Sequence, residues 1–295
     1  MKCTDMSFNP KRNTPVVALI LILCFAVVVV SKVKKVNAVP VLGIVRIMPD
    51  GTVEGTDKIH RTGNVYTFTD DVVNQTVVVE KDDLVIDGVN HLLQGNGTGA
   101  GINVANRSKV IIRNLEIRDF NAGIGIYDSH NNTVVGNLLV NNLAGVSITD
   151  SDNNSIKENT VMDNENGIFF FSSHNNSVYG NSFINNTQQV CDNVGINPWL
   201  PQLLSVNFWD NGTVGNYWSD YSGTDTDGDG VGDTSYIINE DNQDNHPLME
   251  PTETPGFTIP EFPDWMPLHV MLVVVAALAV IYRRNSVKNQ RRVKS

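Results

Sequence analysis

An aspartate- and glycine-rich segment towards the C-terminal end contains the residues best suited to bind a metal ion. Carboxylates stand at alternate positions, Asp225, Asp227 and Asp229, a glycine follows at the sixth position, and Asp233 is at the ninth. This pattern matches the start of a calcium loop, because a hard cation needs several oxygen ligands on a tightly turned backbone. The twelfth position holds a tyrosine instead of glutamate, so the segment is not a complete EF-hand, and a solvated acidic turn is the alternative. Two later aspartates are candidates for the remaining oxygen ligands: Asp241 and Asp244.

Two further groups of candidate residues recur at an interval of 22 residues. Asp128 and Asp150 form the first, and two stacked carboxylates could act as acid and base on a glycosidic bond. The second combines two imidazoles with a carboxylate, a donor set that suits a transition metal such as copper. Its members are His130, Asp152 and His174. For both groups the alternative is a set of polar residues at exposed turns.

The same interval of 22 residues governs the residues that must position these groups. A fixed period of this size predicts a stacked solenoid. The apolar residues alternate in short β-rich pieces bounded by Asn, Ser, Asp and Gly, a pattern typical of strands and turns. We therefore predict an all-β fold, a parallel β-helix with three short strands per coil. One glycine column and one apolar column illustrate the repeat: Gly101, Gly123, Gly145, Gly167 and Ile102, Ile124, Val146, Ile168.

Asparagines recur at the same step. Asparagine tolerates the left-handed backbone of a tight corner, and its amide can both donate and accept hydrogen bonds along a stack. We expect both roles in two columns, which begin one coil after Leu115 and Phe120. The columns are Asn137, Asn159, Asn181 and Asn142, Asn164, Asn186.

These coils resemble the NosD-like right-handed parallel β-helix proteins, also called carbohydrate-binding and sugar-hydrolysis β-helix domains. The segment from Gly215 to Met249 is similar to the C-terminal cap of archaeal surface members, so the resemblance covers roughly residues 42–250. It implies a periplasmic protein linked to copper delivery, or polysaccharide binding. Aromatic residues in this cap could stack on sugar rings or plug the open end of the solenoid: Phe208, Trp209, Tyr217, Trp218 and Tyr221.

Hydrophobic segments flank the solenoid at both ends. The first, Pro15 to Val30, has the layout of a secretory signal or an uncleaved signal anchor. The second, Pro267 to Tyr282, precedes a basic tail, which favours a membrane-spanning segment with a cytoplasmic C-terminus. Together with the Pro-Glu-Phe triplet at residues 260–262, this end is similar to the archaeal PEF-type sorting signal, which implies cutting there and transfer to a lipid; a permanent anchor is the alternative.

Charge restricts the partners of the central region. Residues 39–265 contain 9 Lys or Arg against 31 Asp or Glu, and no Lys or Arg occurs between Lys157 and Arg283. A surface this acidic is unsuited to nucleic acid, because phosphate contacts need cations. Cys191 is the one cysteine outside the leader, so no intrachain disulfide is expected in the mature domain.

The sequence thus predicts an exported protein on the outer face of the cytoplasmic membrane, anchored at its C-terminus and, if the N-terminal segment is an uncleaved signal anchor, also at its N-terminus. We expect it to bind polysaccharide or another envelope component, with calcium ordering the cap. A polysaccharide lyase or hydrolase using Asp128 and Asp150, and a copper-handling accessory using His130 and His174, are the alternatives. The predicted organisation is a signal peptide or signal anchor at 1–38, an N-terminal cap at 39–75, β-helix repeats at 76–190, a C-terminal cap with the acidic loop at 191–250, a proline-rich spacer at 251–264, a transmembrane helix at 265–282 and a basic cytoplasmic tail at 283–295.

Overall fold

The computed structural model describes residues 41–192, 205–252 and 256. Within these residues the chain is all-β, with 24 strands and no helix, which confirms the predicted fold class. Accordingly, no described segment is a helix long and apolar enough to cross a membrane. The expected leader, the membrane segment, the basic tail and most of the proline-rich spacer lie outside the described residues. Every described strand belongs to the unit Leu42–Ser295.

Three sheets form the walls of the solenoid, and the chain passes through them in turn. Strands are numbered in chain order. Sheet A has the spatial order β2-β1-β6-β9-β12-β15-β18-β21, and all its neighbours are parallel except the β1–β2 hairpin. Its strands are β1 (Gly43–Ile47), β2 (Val53–Glu54), β6 (Gln75–Val79), β9 (Ala100–Ala105), β12 (Ala122–Tyr127), β15 (Ala144–Thr149), β18 (Asn166–Phe171) and β21 (Gln188–Asp192).

Sheets B and C complete each coil. Sheet B contains β3 (Ile59–Thr62), β4 (Val65–Phe68), β7 (Leu84–Asp87), β10 (Val110–Arg113), β13 (Thr133–Val135), β16 (Ser155–Lys157) and β19 (Ser177–Tyr179). Sheet C contains β5 (Val72–Val73), β8 (Leu92–Gln94), β11 (Glu116–Arg118), β14 (Leu138–Val140), β17 (Thr160–Met162), β20 (Ser182–Ile184) and β22 (Tyr217–Trp218). A separate antiparallel hairpin joins β23 (Tyr236–Asn239) to β24 (Asn242–Asp244).

The interior consists of apolar columns at the predicted interval. Ile102, Ile124, Val146 and Ile168 are in register on successive strands of sheet A and are at most 1% exposed. Alternate residues of a strand point to opposite faces of the sheet. Because successive strands are in register, the inward residues of one coil stack on those of the next and form a continuous apolar core. The predicted repeat of the sequence is therefore the repeat of the solenoid.

Buried polar ladders run parallel to these columns. The Asn159 side chain lies in the middle of one ladder, where its Oδ1 accepts hydrogen bonds from Asn137 N (2.9 Å) and Asn137 Nδ2 (3.0 Å). Its own Nδ2 donates to Asn181 Oδ1 at 2.9 Å. As expected, the ladders begin after Leu115 and Phe120, whose amides donate to the first ladder asparagines. A third asparagine ladder and a serine ladder, which we did not predict, have the same geometry: Asn132, Asn154, Asn176, Asn207 and Ser129, Ser151, Ser173, Ser205.

One expectation about the asparagines was wrong. We assigned the left-handed corner and the ladder to the same residues, but the structure divides these roles between neighbours. In the two predicted ladders the residue just before the ladder asparagine has a positive φ, and it is exposed where it is not glycine, as at Asn141 (56°), Glu158 (55°) and Asn185 (54°). The ladder residue itself turns inward because the left-handed residue reverses the chain direction at the corner.

The two ends of the solenoid differ from its repeating coils. At the N-terminal end β1 already pairs in parallel with β6, so the stack begins within the segment that we expected to form the cap. At the C-terminal end the Trp218 ring stacks between Phe183 (4.6 Å between centroids) and Tyr236 (4.4 Å). Trp209 is also buried, which supports the plug for the two tryptophans, whereas Phe208 is 58% exposed and does not belong to it.

Candidate functional site

The acidic loop brings three of its four predicted ligands together. The carboxylate oxygens of Asp225, Asp227 and Asp229 all lie within 4.8 Å of one another. Asp225 also accepts hydrogen bonds from the amides of Gly228 (2.7 Å) and Gly230 (2.9 Å), both of which have positive φ. These bonds, foremost that of Gly230, hold the pKa of Asp225 below its ordinary value. The loop therefore presents ionised oxygen donors on a turned backbone.

Asp233 and Asp244 have other roles in the structure. The Asp233 carboxylate accepts hydrogen bonds from the Thr226 hydroxyl (2.5 Å) and amide (3.0 Å), which closes the base of the loop. Asp244, which we considered as a further calcium ligand, is fully buried and ends an asparagine ladder, where it accepts from Asn216 N at 2.7 Å. It also accepts from Trp218 Nε1 at 2.9 Å. Both carboxylates thus bind protein groups and lie outside the three-aspartate group.

The proposed copper column is not assembled as a ligand set. Among the described residues, neither group of three ligand atoms that fall within 4.8 Å of one another includes His130, Asp152 or His174. Asp152 Oδ1 accepts a hydrogen bond from the His174 amide at 2.6 Å, and His174 Nδ1 accepts one from the Val206 amide at 3.2 Å. Two potential metal-ligand atoms of the column, Asp152 Oδ1 and His174 Nδ1, thus accept hydrogen bonds from main-chain amides. The role of this column in copper binding stays a prediction.

Asp128 and Asp150 each follow the last residue of a sheet A strand, at a corner of the solenoid. Their φ angles are 46° and 47°, and Ser172, the next member of the column, has 48°. Aspartate adopts left-handed backbone more readily than most residues, so the corner itself accounts for these residue types. Both side chains are exposed. Their catalytic role stays a prediction.

A further potential ligand group, which the sequence analysis missed, joins Asp70, Asp71 and His91. Asp71 Oδ1 lies 3.3 Å from His91 Nδ1, and the residues meet because they precede the paired strands β5 and β8. Lys58 Nζ lies 3.1 Å from Asp70 Oδ2 and, mainly through this hydrogen bond, lowers the pKa of Asp70. One imidazole and two carboxylates form a donor set that fits copper(II), although Lys58 already neutralises one carboxylate.

A groove crosses the outer face of sheet A over strands β9, β12, β15 and β18, with a volume of about 550 Å³. Its floor is a column of small residues in register, Ala100, Ala122 and Ala144. Because their methyl groups project little, a ligand can approach the sheet closely there. The remaining lining residues are Gly99, Asn103, Asn121, Tyr127, Leu143, Ser147, Glu165, Asn166 and Phe169.

An aromatic side chain lies along this groove because a neighbouring residue is glycine. The Tyr127 ring folds back over Gly125, where any Cβ atom would overlap the ring and its hydroxyl oxygen. The hydroxyl hydrogen-bonds Ser147 on the next coil, and burial raises the pKa of Tyr127 above its ordinary value. Phe169 occupies the same register position as Gly125 two coils further on. The groove therefore combines two half-buried aromatic rings with a flat floor.

Two polar groups of the groove are available as hydrogen-bond acceptors, the Asn103 side-chain oxygen and the Glu165 carboxylate. The Asn103 Oδ1 atom is buried and has no hydrogen-bond partner within the described part of the chain. The lining contains one charged side chain, the exposed Glu165, and no Lys or Arg. A buried acceptor without a donor is costly unless a ligand or water satisfies it.

Sequence reasoning missed this groove, although part of its signal was present. The alanine column at the 22-residue step stands directly before the glycines that we aligned, and it marks a place where the outer face is flat. The position of the Tyr127 ring could not be read from spacing. It depends on the contact with Gly125, which only the folded strand creates.

Comparison with known proteins identifies a family for this chain. The family model described as "Periplasmic copper-binding protein (NosD)" matches residues 45–223, more than half of the chain. No curated protein matches the chain significantly.

Proposed function

This chain belongs to the NosD family of periplasmic copper-binding proteins, and we propose that it is an exported β-helix protein that binds polysaccharide or another envelope component. The periplasmic description of the family agrees with export. Attachment to the outer face of the cytoplasmic membrane through residues 265–282 is part of the proposal, and so is calcium in the cap.

The groove on sheet A is the observation that carries this proposal. Sugar rings present apolar faces and many hydroxyl groups, so their binding sites combine aromatic surfaces with polar groups that fix orientation. The Tyr127 and Phe169 rings supply the first, and Asn103, Asn121 and Ser147 supply the second. The two rings lie on β12 and β18, two coils apart, which suits a polymer lying across several strands.

Binding is favoured over turnover because of the carboxylates. Glycoside hydrolysis generally uses two carboxyl groups on either side of the scissile bond. Glu165 is the one carboxylate in the described lining, and Asp128 and Asp150 do not belong to it. The groove therefore offers contacts to a sugar chain without an acid–base pair.

Replacement of one aromatic ring tests the proposal. Tyr127→Ala should weaken binding of a polysaccharide ligand about tenfold, since an aromatic contact contributes about 1.4 kcal/mol. Tyr179→Ala is the matched control, because this half-buried tyrosine lies on sheet B, away from the groove. Affinity electrophoresis against envelope polysaccharides gives the comparison. Equal losses in both variants, or none in Tyr127→Ala, would place binding elsewhere.

The calcium part of the proposal is supported by the grouping of Asp225, Asp227 and Asp229. A ligand that binds only the folded state raises the unfolding midpoint with its concentration. Calcium should therefore raise the midpoint of the wild-type protein, and Asp227→Asn should abolish that increase. Asp57→Asn, which removes an exposed carboxylate at the N-terminal end of the described chain, should retain it. A midpoint that is the same in calcium and in chelator would identify the loop as a solvated turn.

Copper handling is the second candidate function, favoured by the family description and by the group Asp70, Asp71 and His91. His91 would supply a nitrogen ligand and the two carboxylates oxygen ligands. Copper(II) titration, followed by calorimetry and electron paramagnetic resonance, should lose one equivalent in His91→Ala but not in His174→Ala. The reverse result would assign copper to the 22-residue column, and a wild-type protein that binds no copper would exclude both sites.

A further inference from the structure

We infer that the groove on sheet A selects uncharged sugar units and discriminates against uronic acids. This inference rests on the proposed function and specifies its ligand class. It depends on the charge of the groove and on the kind of polar atom that the groove presents.

The groove has no group that could neutralise an acidic sugar. Carboxylates are recognised in proteins chiefly by Arg and Lys, which form charge-assisted hydrogen bonds. The described lining contains neither, and its charged side chain, Glu165, has the same sign as a uronate. No described ion pair involves Glu165, so its charge is not compensated by a neighbouring cation.

Two arginines of the same coils lie on other sheets and pair with carboxylates there. Arg113 projects from sheet B and pairs with Asp87 at 2.8 Å, and Arg118 projects from sheet C and contacts Glu116 at 3.3 Å. Beyond Lys157 the described chain contains no Lys or Arg at all. The field over the upper coils is therefore negative, and it repels an anionic polymer before contact.

Two groups in the groove, Asn103 Oδ1 and the Glu165 carboxylate, require a hydrogen-bond donor from the ligand. Asn103 Oδ1 is a buried acceptor without a partner within the described residues, and a sugar hydroxyl is a donor that could satisfy it. The Glu165 carboxylate accepts hydrogen bonds but cannot donate them when ionised. A uronate carboxylate is therefore repelled by Glu165. A neutral sugar carries a hydroxymethyl group at the same carbon, and this group can donate a hydrogen bond to Glu165 or to Asn103.

A glycan array with matched pairs tests this inference. Each uronate-containing oligosaccharide is printed beside its carboxyl-reduced counterpart, so that the two differ only in charge at one carbon. The protein should bind neutral glycans and prefer each reduced counterpart to its parent by about tenfold, the size expected for like charges a few ångströms apart at a wet surface. Glu165→Gln should reduce this gap, the ratio of the affinities for the two glycans of a pair, several-fold. Glu240→Gln, an equal change of charge at an exposed position in the cap, should leave the gap unchanged.

Three outcomes of the array would contradict different claims: the charge selectivity, the role of the groove, and polysaccharide binding itself. Uronate parents that bind as tightly as their reduced counterparts would overturn the selectivity and leave polysaccharide binding intact. A gap that Glu165→Gln and Glu240→Gln narrow equally would assign the discrimination to total charge and overturn the role of the groove. An array on which no glycan is bound would overturn polysaccharide binding, and this inference with it.

Discussion

Asn159 provides the most direct probe of what holds the coils together. Its side chain is fully buried and takes part in five hydrogen bonds along the ladder. Asn159→Ala removes the acceptor of the buried Asn137 amide and the donor to two main-chain carbonyl groups, those of Val134 and Lys157. A small cavity replaces the side chain.

The expected loss follows from these contacts. A buried amide left without a partner costs about 1–3 kcal/mol, and each of the other lost hydrogen bonds contributes about 0.5–1.5 kcal/mol net. These values sum to about 3–9 kcal/mol. Since Nδ2 shares two hydrogens among three bonds, we expect Asn159→Ala to lower the free energy of unfolding by about 3–5 kcal/mol, at the lower end of that range, less whatever a water molecule entering the cavity restores. The matched control is Asn153→Gly. Asn153 is exposed with φ 58°, a conformation that glycine adopts without strain, so less than about 1 kcal/mol is expected.

Urea unfolding of the purified proteins, followed by circular dichroism, measures both changes. The comparison requires that the free energy of unfolding depends equally steeply on urea concentration in all variants, because a changed slope signals loss of two-state cooperativity. A loss in Asn159→Ala no larger than in Asn153→Gly would refute the assignment of stability to the ladder. It would mean that apolar columns alone hold the coils in register.

Other changes test other parts of the account. Trp218→Ala should destabilise by about 3–5 kcal/mol in thermal unfolding, because it empties the ring stack with Tyr236 and removes the indole donor to the buried Asp244; a change below about 1 kcal/mol would contradict the plug. Asp128→Asn with Asp150→Asn should leave stability and polysaccharide affinity unchanged, because asparagine suits the left-handed corner equally, and a loss of turnover on polysaccharide would instead assign catalysis to the pair. Burial raises the pKa of Asp244, so the folded state holds this proton to higher pH than the unfolded chain. Its contribution to stability is then fully present below the ordinary carboxyl pKa and decreases as the pH rises through the raised value; urea unfolding at several pH values should give a flatter profile for Asp244→Asn, and an unchanged profile would contradict the shift.

The solenoid could be predicted because its determinants are local and repeated. Each apolar column and each corner recurs at 22 residues, so four copies of the same short pattern support one another in the sequence. The inward or outward direction of individual asparagines could not be predicted. Asn141 and Asn142 are neighbours of the same type, and only the corner geometry makes the first left-handed and exposed and the second a buried ladder residue.

The continuation of the ladders into the cap shows where spacing fails as a guide. Asn176 bonds to Asn207, 31 residues later, and Asn181 bonds to Asn216, 35 residues later. Insertions between the strands change the sequence separation but preserve the stacking, since the hydrogen bonds depend on position along the axis alone. The role of Asp244 as a ladder end was hidden for the same reason.

The position of a bound glycan on sheet A is the most direct test of the central claim. Alanine methyl groups labelled with carbon-13 can be followed by nuclear magnetic resonance during titration with a polysaccharide fragment that the protein binds. The account predicts shifts at the groove floor, Ala100, Ala122 and Ala144, and none at Ala105, which is not part of the lining. Binding of the fragment with all three floor methyl signals unmoved would contradict it.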